Sequence, residues 1–131
     1  MKALVVDDEY MSRQLLIQLL KPYAECHSAL NGIEAVEIFK NALEENKPFD
    51  LICLDIMLPE MDGHEVLRKV RQIEKEKNIS YLNCVKIIMI TALDDFDNIK
   101  QAFIDQCEAY IIKPIRKENF INQLKEFGII K

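Results

Sequence analysis

Five times along this chain a short apolar run gives way to a segment whose apolar residues recur at helical spacing, and that alternation constrains the fold more than any other feature. Ala3–Val6 opens the series, and Met11, Leu15, Leu16, Leu19 and Leu20 follow as a stripe that stops before Pro22. Cys26–Leu30 reads as a second strand. Asn31-Gly32 with Glu34 then makes a capping-box-like start for a helix faced by Ala35, Val36, Phe39 and Leu43. Leu51–Leu54 lies between Asp50 and Asp55. Pro59 and Gly63 mark the loop beyond it, and Val66, Leu67, Val70 and Ile73 form the third stripe. After a polar, aperiodic stretch (Lys75–Asn83) comes Ile87–Ile90. Asp94 and Asp97 are candidate caps for a helix with Phe96, Ile99, Ala102 and Phe103 on its inner face. Ala109–Ile112 is closed by Lys113-Pro114. Phe120, Ile121, Leu124 and Phe127 line the last helix, and Gly128 is placed to stop it.

Runs that are apolar throughout suit strands buried on both faces, and helices between them imply a parallel sheet covered on both sides. The expected architecture is therefore α/β, a (βα)5 doubly wound parallel sheet forming one domain over 1–131. Half of the residues are apolar and 30% are charged, enough for a packed core. The net charge of −5 argues against a nucleic-acid partner. The three glycines, Gly32, Gly63 and Gly128, cannot compose a GxGxxG or a Walker loop. Cys26, Cys53, Cys84 and Cys107 form no CxxC pair, so they read as small reduced core residues rather than zinc ligands or a disulfide framework. Asp7, Asp8 and Glu9 stand where a signal peptide would be apolar, and no run approaches a membrane span. A soluble, cytoplasmic protein without a membrane partner is expected.

In open parallel sheets, sites form at the carboxyl ends of the strands. Asp7 and Asp8 follow the first strand here, Asp55 the third, Thr91 the fourth and Lys113 the fifth. A strand order of 2-1-3-4-5 would bring Asp7, Asp8 and Asp55 together. Clustered carboxylates repel one another, and a hard divalent cation relieves that; Mg²⁺ suits a site of carboxylates, waters and a phosphate oxygen. An aspartate beside such a cation, a threonine and a lysine also suits phosphoryl transfer. The carboxylate can attack phosphorus, while the ammonium and the hydroxyl face the phosphoryl oxygens. His27 and His64 have no paired ligand spacing and read as surface or loop residues.

The segments Val5-Val6-Asp7-Asp8-Glu9, Asn31-Gly32-Ile33-Glu34-Ala35, Asp55-Ile56-Met57-Leu58-Pro59-Glu60-Met61-Asp62-Gly63, Ile90-Thr91-Ala92 and Tyr110-Ile111-Ile112-Lys113-Pro114 occur in this order along nearly the whole chain. The ordered set resembles the receiver domain of bacterial two-component response regulators, of the single-domain chemotaxis-regulator type. The resemblance implies the flavodoxin-like receiver fold. It makes Asp55 the phosphoacceptor, with Asp7, Asp8, Asp55 and the carbonyl of Met57 as Mg²⁺ ligands. Thr91 and Lys113 would contact the phosphoryl group, and Tyr110 would join Thr91 as a switch residue. Lys113-Pro114 would be cis, a form accessible to proline. The implied partners are a histidine kinase or histidine phosphotransfer protein and an effector protein in trans, with no enzymatic turnover beyond phosphorylation and self-dephosphorylation of Asp55.

Three alternatives stay open: a phosphate sink in a relay, a non-phosphorylated receiver-like binding module and a small phosphatase with an aspartyl nucleophile. Asp55 and Thr91 lie 36 positions apart, longer than in a minimal receiver, and the surplus is expected in Lys75–Asn83, away from the site. Met57 and Leu93, two beyond Asp55 and Thr91, occupy positions that tune the hydrolytic water in this family; both are apolar here, so slow self-dephosphorylation is expected. Phe96, Ile99 and Phe103 read as core, while Lys100, Gln101 and Lys117 are the expected partner-facing positions. No DNA-binding unit lies within these residues, and a free-standing regulator and an excised receiver are both open.

Overall fold

A computed structural model describes residues 1–131. The elements follow one another as β1 (Lys2–Val6), α1 (Tyr10–Leu20), β2 (Glu25–Ala29), α2 (Gly32–Glu44), β3 (Leu51–Leu54), α3 (Gly63–Glu76), β4 (Lys86–Thr91), α4 (Phe96–Ile104), β5 (Ala109–Ile112) and α5 (Lys117–Glu126). The five strands pair in parallel in the order β2-β1-β3-β4-β5. β2 begins one residue earlier than its apolar run suggests, because Glu25 pairs with Lys2 at the start of the ladder.

Side chains alternate across the pleat. Leu4 and Val6 of β1, Ile52 and Leu54 of β3, and Ile87 and Met89 of β4 face α2, α3 and α4. Ala3 and Val5, Leu51 and Cys53, and Ile88 and Ile90 face α1 and α5, where Leu16, Leu20, Phe120 and Leu124 cover them. The central strands are thus apolar on both faces, as their unbroken apolar runs require. Cys53 and Cys107 are buried, Cys26 and Cys84 are half-buried, and all four are free thiols. Asn31 caps α2 by accepting from the Glu34 N–H at 2.8 Å, and Gly128 follows α5 with φ of 70°.

Several expectations about helix faces are corrected. Asp95, not Asp94 or Asp97, caps α4, its side chain accepting from the Asn98 N–H. With Phe96 as the first helical residue, the inward line runs through Asn98, Ile99 and Ala102. At roughly 100° per residue that line lies a quarter-turn or more from Phe96 and Phe103. Phe96 is accordingly 73% exposed and Phe103 is also exposed, so neither is core; Ile99 is half-buried. Met11 and Leu15 of the α1 stripe and Phe127 beyond α5 are exposed as well. Lys100 and Lys117 are exposed, whereas Gln101 is half-buried and donates to Asp105. His27 is exposed, but His64 is not a surface residue: it is only 8% exposed, in the first turn of α3 against Asn98 of α4.

α3 runs on to Glu76 and is followed by a single 3-10 turn, Tyr81–Asn83. This longer connection sits at the amino-terminal edge of the sheet, opposite the edge where the carboxylates gather. No helix is long and apolar enough to cross a membrane.

Candidate functional site

The sheet ladder carries on one residue past β1 and β3. The Asp7 N–H donates to the Ala29 carbonyl at 3.2 Å and the Asp55 N–H donates to the Val6 carbonyl at 3.0 Å. Both aspartates are therefore placed by the strands rather than by a mobile loop, and they are 1% and 5% exposed. Across the sheet, the Lys113 N–H donates to the Thr91 carbonyl at 2.8 Å, which brings Lys113 back over the same edge. Its Nζ donates to Asp7 Oδ2 at 2.9 Å and to Asp55 Oδ2 at 2.8 Å. The remaining oxygens are taken by main chain. Asp7 Oδ1 accepts from the Glu9 N–H at 2.9 Å, and Asp55 Oδ1 from the Met57 N–H at 3.0 Å.

One ammonium facing two carboxylates leaves an excess negative charge in a largely buried place. Burial holds the Asp7 carboxyl above its ordinary value, with Asp55 adding to the effect, although the Glu9 N–H and Lys113 oppose it. Burial pulls the Lys113 ammonium down, but the two carboxylates outweigh that and hold it above the usual lysine value. Thr91 is fully buried, and its hydroxyl oxygen faces the Leu93 N–H at 3.5 Å. Tyr110 is half-buried, its hydroxyl donates to the Leu93 carbonyl at 2.7 Å, and burial together with nearby acids pushes the phenol up to about 12. The Lys113-Pro114 peptide is cis. Gly63 is required by crowding: a Cβ there would lie 2.6 Å from the Ile56 Cα and closer still to the Asp55 carbonyl.

This geometry coincides with a family match. The profile described as the response regulator receiver domain matches residues 3–125. The chain belongs to the response-regulator receiver family. The receiver is 37% identical over 123 residues to the transcriptional regulatory protein SrrA of Staphylococcus aureus, covering 93% of this chain and 45% of SrrA, so the chain spans about half the length of that relative. Its fold is similar to a chain of the CheX–CheY–BeF3–Mg²⁺ complex of Borrelia burgdorferi (TM-score 0.81, 26% identity, covering 99% of this chain and 90% of that one). It is also similar to a chain of the complex between the Saccharomyces cerevisiae histidine phosphotransfer signalling protein Ypd1 and the receiver domain of Ssk1 (TM-score 0.83, 25% identity, covering 98% and 89%). Phosphorylation with magnesium is the general behaviour of receivers in two-component signalling.

The receiver's sequence-predicted residues separate into two groups. Asp7, Asp55 and Lys113 meet directly, with Thr91 placed beside Lys113 by the sheet. Asp8 is exposed, and no three acidic, His or Cys side chains are gathered into a metal-sized cluster. The donor set nonetheless fits Mg²⁺, which is held by one or two carboxylates plus waters and a phosphate oxygen rather than by an all-protein cage. Two buried carboxylates with an unbalanced negative charge are the core of such a set, and Asp8, next to Asp7 in sequence, and the Met57 carbonyl would complete it. Sequence reasoning missed Arg13, whose Nη1 donates to the Asp7 carbonyl at 3.0 Å, and the two main-chain N–H groups that aim the carboxylates. Arg13 lies within an ordinary amphipathic helix, where nothing marks it as a site residue.

Proposed function

We propose that this receiver accepts a phosphoryl group on Asp55 and uses it to switch a partner-binding surface in two-component signalling. One observation carries the reading: a single lysine Nζ reaches both buried strand-end carboxylates, at 2.8 and 2.9 Å, with main-chain N–H groups fixing their other oxygens. The donor would be a phosphohistidine on a histidine kinase or histidine phosphotransfer protein. The Asp55 carboxylate attacks phosphorus, a P–O bond forms, the P–N bond breaks and its electron pair returns to the imidazole nitrogen. Lys113 moves from balancing carboxylates to balancing phosphoryl oxygens. Thr91 turns its hydroxyl from the Leu93 N–H toward the phosphoryl group. Asp7, Asp8, Asp55 and the Met57 carbonyl would hold Mg²⁺, which when bound neutralises charge on the transferring oxygens.

The readout lies in the link from Thr91 through Leu93 to Tyr110. A new partner for the Thr91 hydroxyl releases the Leu93 N–H, and Leu93 is the residue whose carbonyl holds the Tyr110 hydroxyl. Movement of this segment would alter the surface of α4, β5 and α5 and bias which effector it meets. The protein acts as a switch, not as a turnover enzyme, and the chemistry consumes one phosphoryl group per cycle.

Intact-mass analysis after incubation with acetyl phosphate and Mg²⁺ tests this. One added phosphoryl group is expected on the wild type, and none with chelator or in Asp55→Asn. An adduct that persists in Asp55→Asn would overturn the assignment, as would its formation without a divalent cation.

A further inference from the structure

α4 is the helix least anchored to the core. Ala102 is its one buried residue, while Phe96, Phe103 and Ile104 are exposed. It is nevertheless tied to the site, because the segment between it and β4 follows directly on Thr91 and contains Leu93. What fixes the amino end of α4 therefore bears on the site.

That end is held by a polar chain crossing from α3. The Asp95 carboxylate can only accept, so the Asn98 amide must turn its Nδ2 toward it; Nδ2 donates to Asp95 Oδ1 at 2.8 Å. The amide oxygen then faces α3, where it stands 2.8 Å from His64 Nε2. An amide oxygen can only accept, so Nε2 carries the hydrogen and donates it. The ring is buried, and its other nitrogen, Nδ1, has no partner; no other buried side-chain nitrogen or oxygen in the protein is left so. The one hydrogen bond that joins the imidazole to α4 is therefore the one from Nε2–H to the Asn98 amide oxygen. A second tie, from Arg68 to Asp105 at 3.0 Å, lies at the carboxyl end of α4 and is more exposed.

We infer that His64 is a positioning residue: with Asn98 and Asp95 it forms a clasp that holds the amino end of α4, and with it the segment from Thr91 to Asp95, in register with the site. The clasp itself does not depend on Asp55 accepting phosphate. Its influence on the site rests on that reading, since any ligand that re-aims Thr91 must shift a segment that His64 restrains. α4 and the site are then coupled in both directions.

Three variants separate this from simple packing. His64→Leu fills the space without a donor. His64→Gln carries an amide nitrogen at nearly the reach of Nε2. Asn98→Ala removes the acceptor. Hydrogen exchange on the unmodified protein is expected to show amides of residues 92–104 exchanging about tenfold faster in His64→Leu, the scale of one buried hydrogen bond, with β3 amides unchanged. His64→Gln should return exchange to near wild type, and His64→Leu with Asn98→Ala should exchange no faster than Asn98→Ala alone. Titration with beryllofluoride and Mg²⁺ should give an apparent affinity altered severalfold in His64→Leu and restored in His64→Gln.

The clasp is overturned if α4 exchange in His64→Leu equals wild type, if His64→Gln exchanges as fast as His64→Leu, or if β3 amides accelerate equally. Faster α4 exchange with unaltered beryllofluoride affinity overturns the coupling to the site. Failure of the wild type to bind beryllofluoride at all would overturn the phosphoacceptor reading and with it the coupling, while exchange still decides the clasp.

Discussion

At Asp55 both carboxylate oxygens are engaged, one by Lys113 and one by the Met57 N–H, and Met57 and Leu93, two residues beyond Asp55 and Thr91, are both apolar. Met57 is 55% exposed and Leu93 is half-buried. Neither side chain can orient a water by hydrogen bonding, so on the phosphoacceptor reading proposed above neither would aim a hydrolytic water at Asp55. Met57→Asn combined with Leu93→Glu should therefore shorten the lifetime of the phosphorylated protein by about tenfold, the scale of one hydrogen bond to the attacking water. Single-turnover decay after removal of acetyl phosphate checks this, and an unchanged rate would overturn the expectation that apolar residues at these two positions slow self-dephosphorylation. Asp55 was legible in the sequence because it closes a strand, whereas Met57 and Leu93 were singled out only by the resemblance to receivers. His64 and Asn98 were not, because their contact joins two helices through a gap of 34 residues and neither position carries a periodic or motif signal.

At the scale of elements, the opposite edge of the sheet is held by a second buried charge cluster. Arg71 of α3 donates to Glu74 at 2.7 Å, to Glu108 at 2.9 Å and to the Val85 and Gln106 carbonyls. Glu74 in turn accepts from the Val85 N–H and Glu108 from the Ile87 N–H, so the cluster fixes where β4 starts after the long connection. Burial holds the Glu108 carboxyl above its ordinary value even though Arg71 opposes it. Because the folded value is the higher one, ionising Glu108 costs the folded state stability as pH rises through the ordinary carboxylate value of 4.5 toward the folded one.

Arg71→Met would leave both carboxylates without their cation and should cost about 3–5 kcal/mol at neutral pH. The deficit should shrink on acidification, as Glu108, whose carboxyl is held above its ordinary value, takes up a proton. Urea unfolding of both proteins from pH 4 to 7 reads this directly, and a deficit independent of pH would mean that lost packing, not charge, is responsible. The elements themselves were legible from apolar periodicity, whereas the rotation of α4 was not. Two phenylalanines and an isoleucine fitted an inward stripe, but the cap at Asp95 and the small Ala102 decided which line faces the sheet. Residue type ranks Phe above Asn as core. The clasp through Asn98 reverses that ranking at one helix.

At the scale of the whole molecule, the alternation and the site's edge follow from one pattern, while the order of the strands came from the resemblance to receivers. Five apolar runs set the sheet, and the charged residues that close β1, β3 and β5 are thereby forced onto one edge. That placement works against stability. Two carboxylates share one ammonium in a buried place, within a protein whose net charge is already −5. Replacing Asp7 by Asn keeps an oxygen for the Glu9 N–H and leaves Lys113 and Asp55 as a balanced pair. Asp7→Asn should then be more stable than wild type in chelator by on the order of 1 kcal/mol, which for a domain of this size raises the thermal midpoint by roughly 3–6 °C. Added Mg²⁺ should close the gap by stabilising the wild type through binding to the folded state, with little effect on the variant. Thermal unfolding of both proteins, with chelator and with Mg²⁺, makes the comparison. A wild type already the more stable in chelator would mean that Lys113 alone balances both carboxylates. If the variant is instead the more stable and Mg²⁺ closes the gap, the fold tolerates an unbalanced buried charge at this edge because a cation completes it.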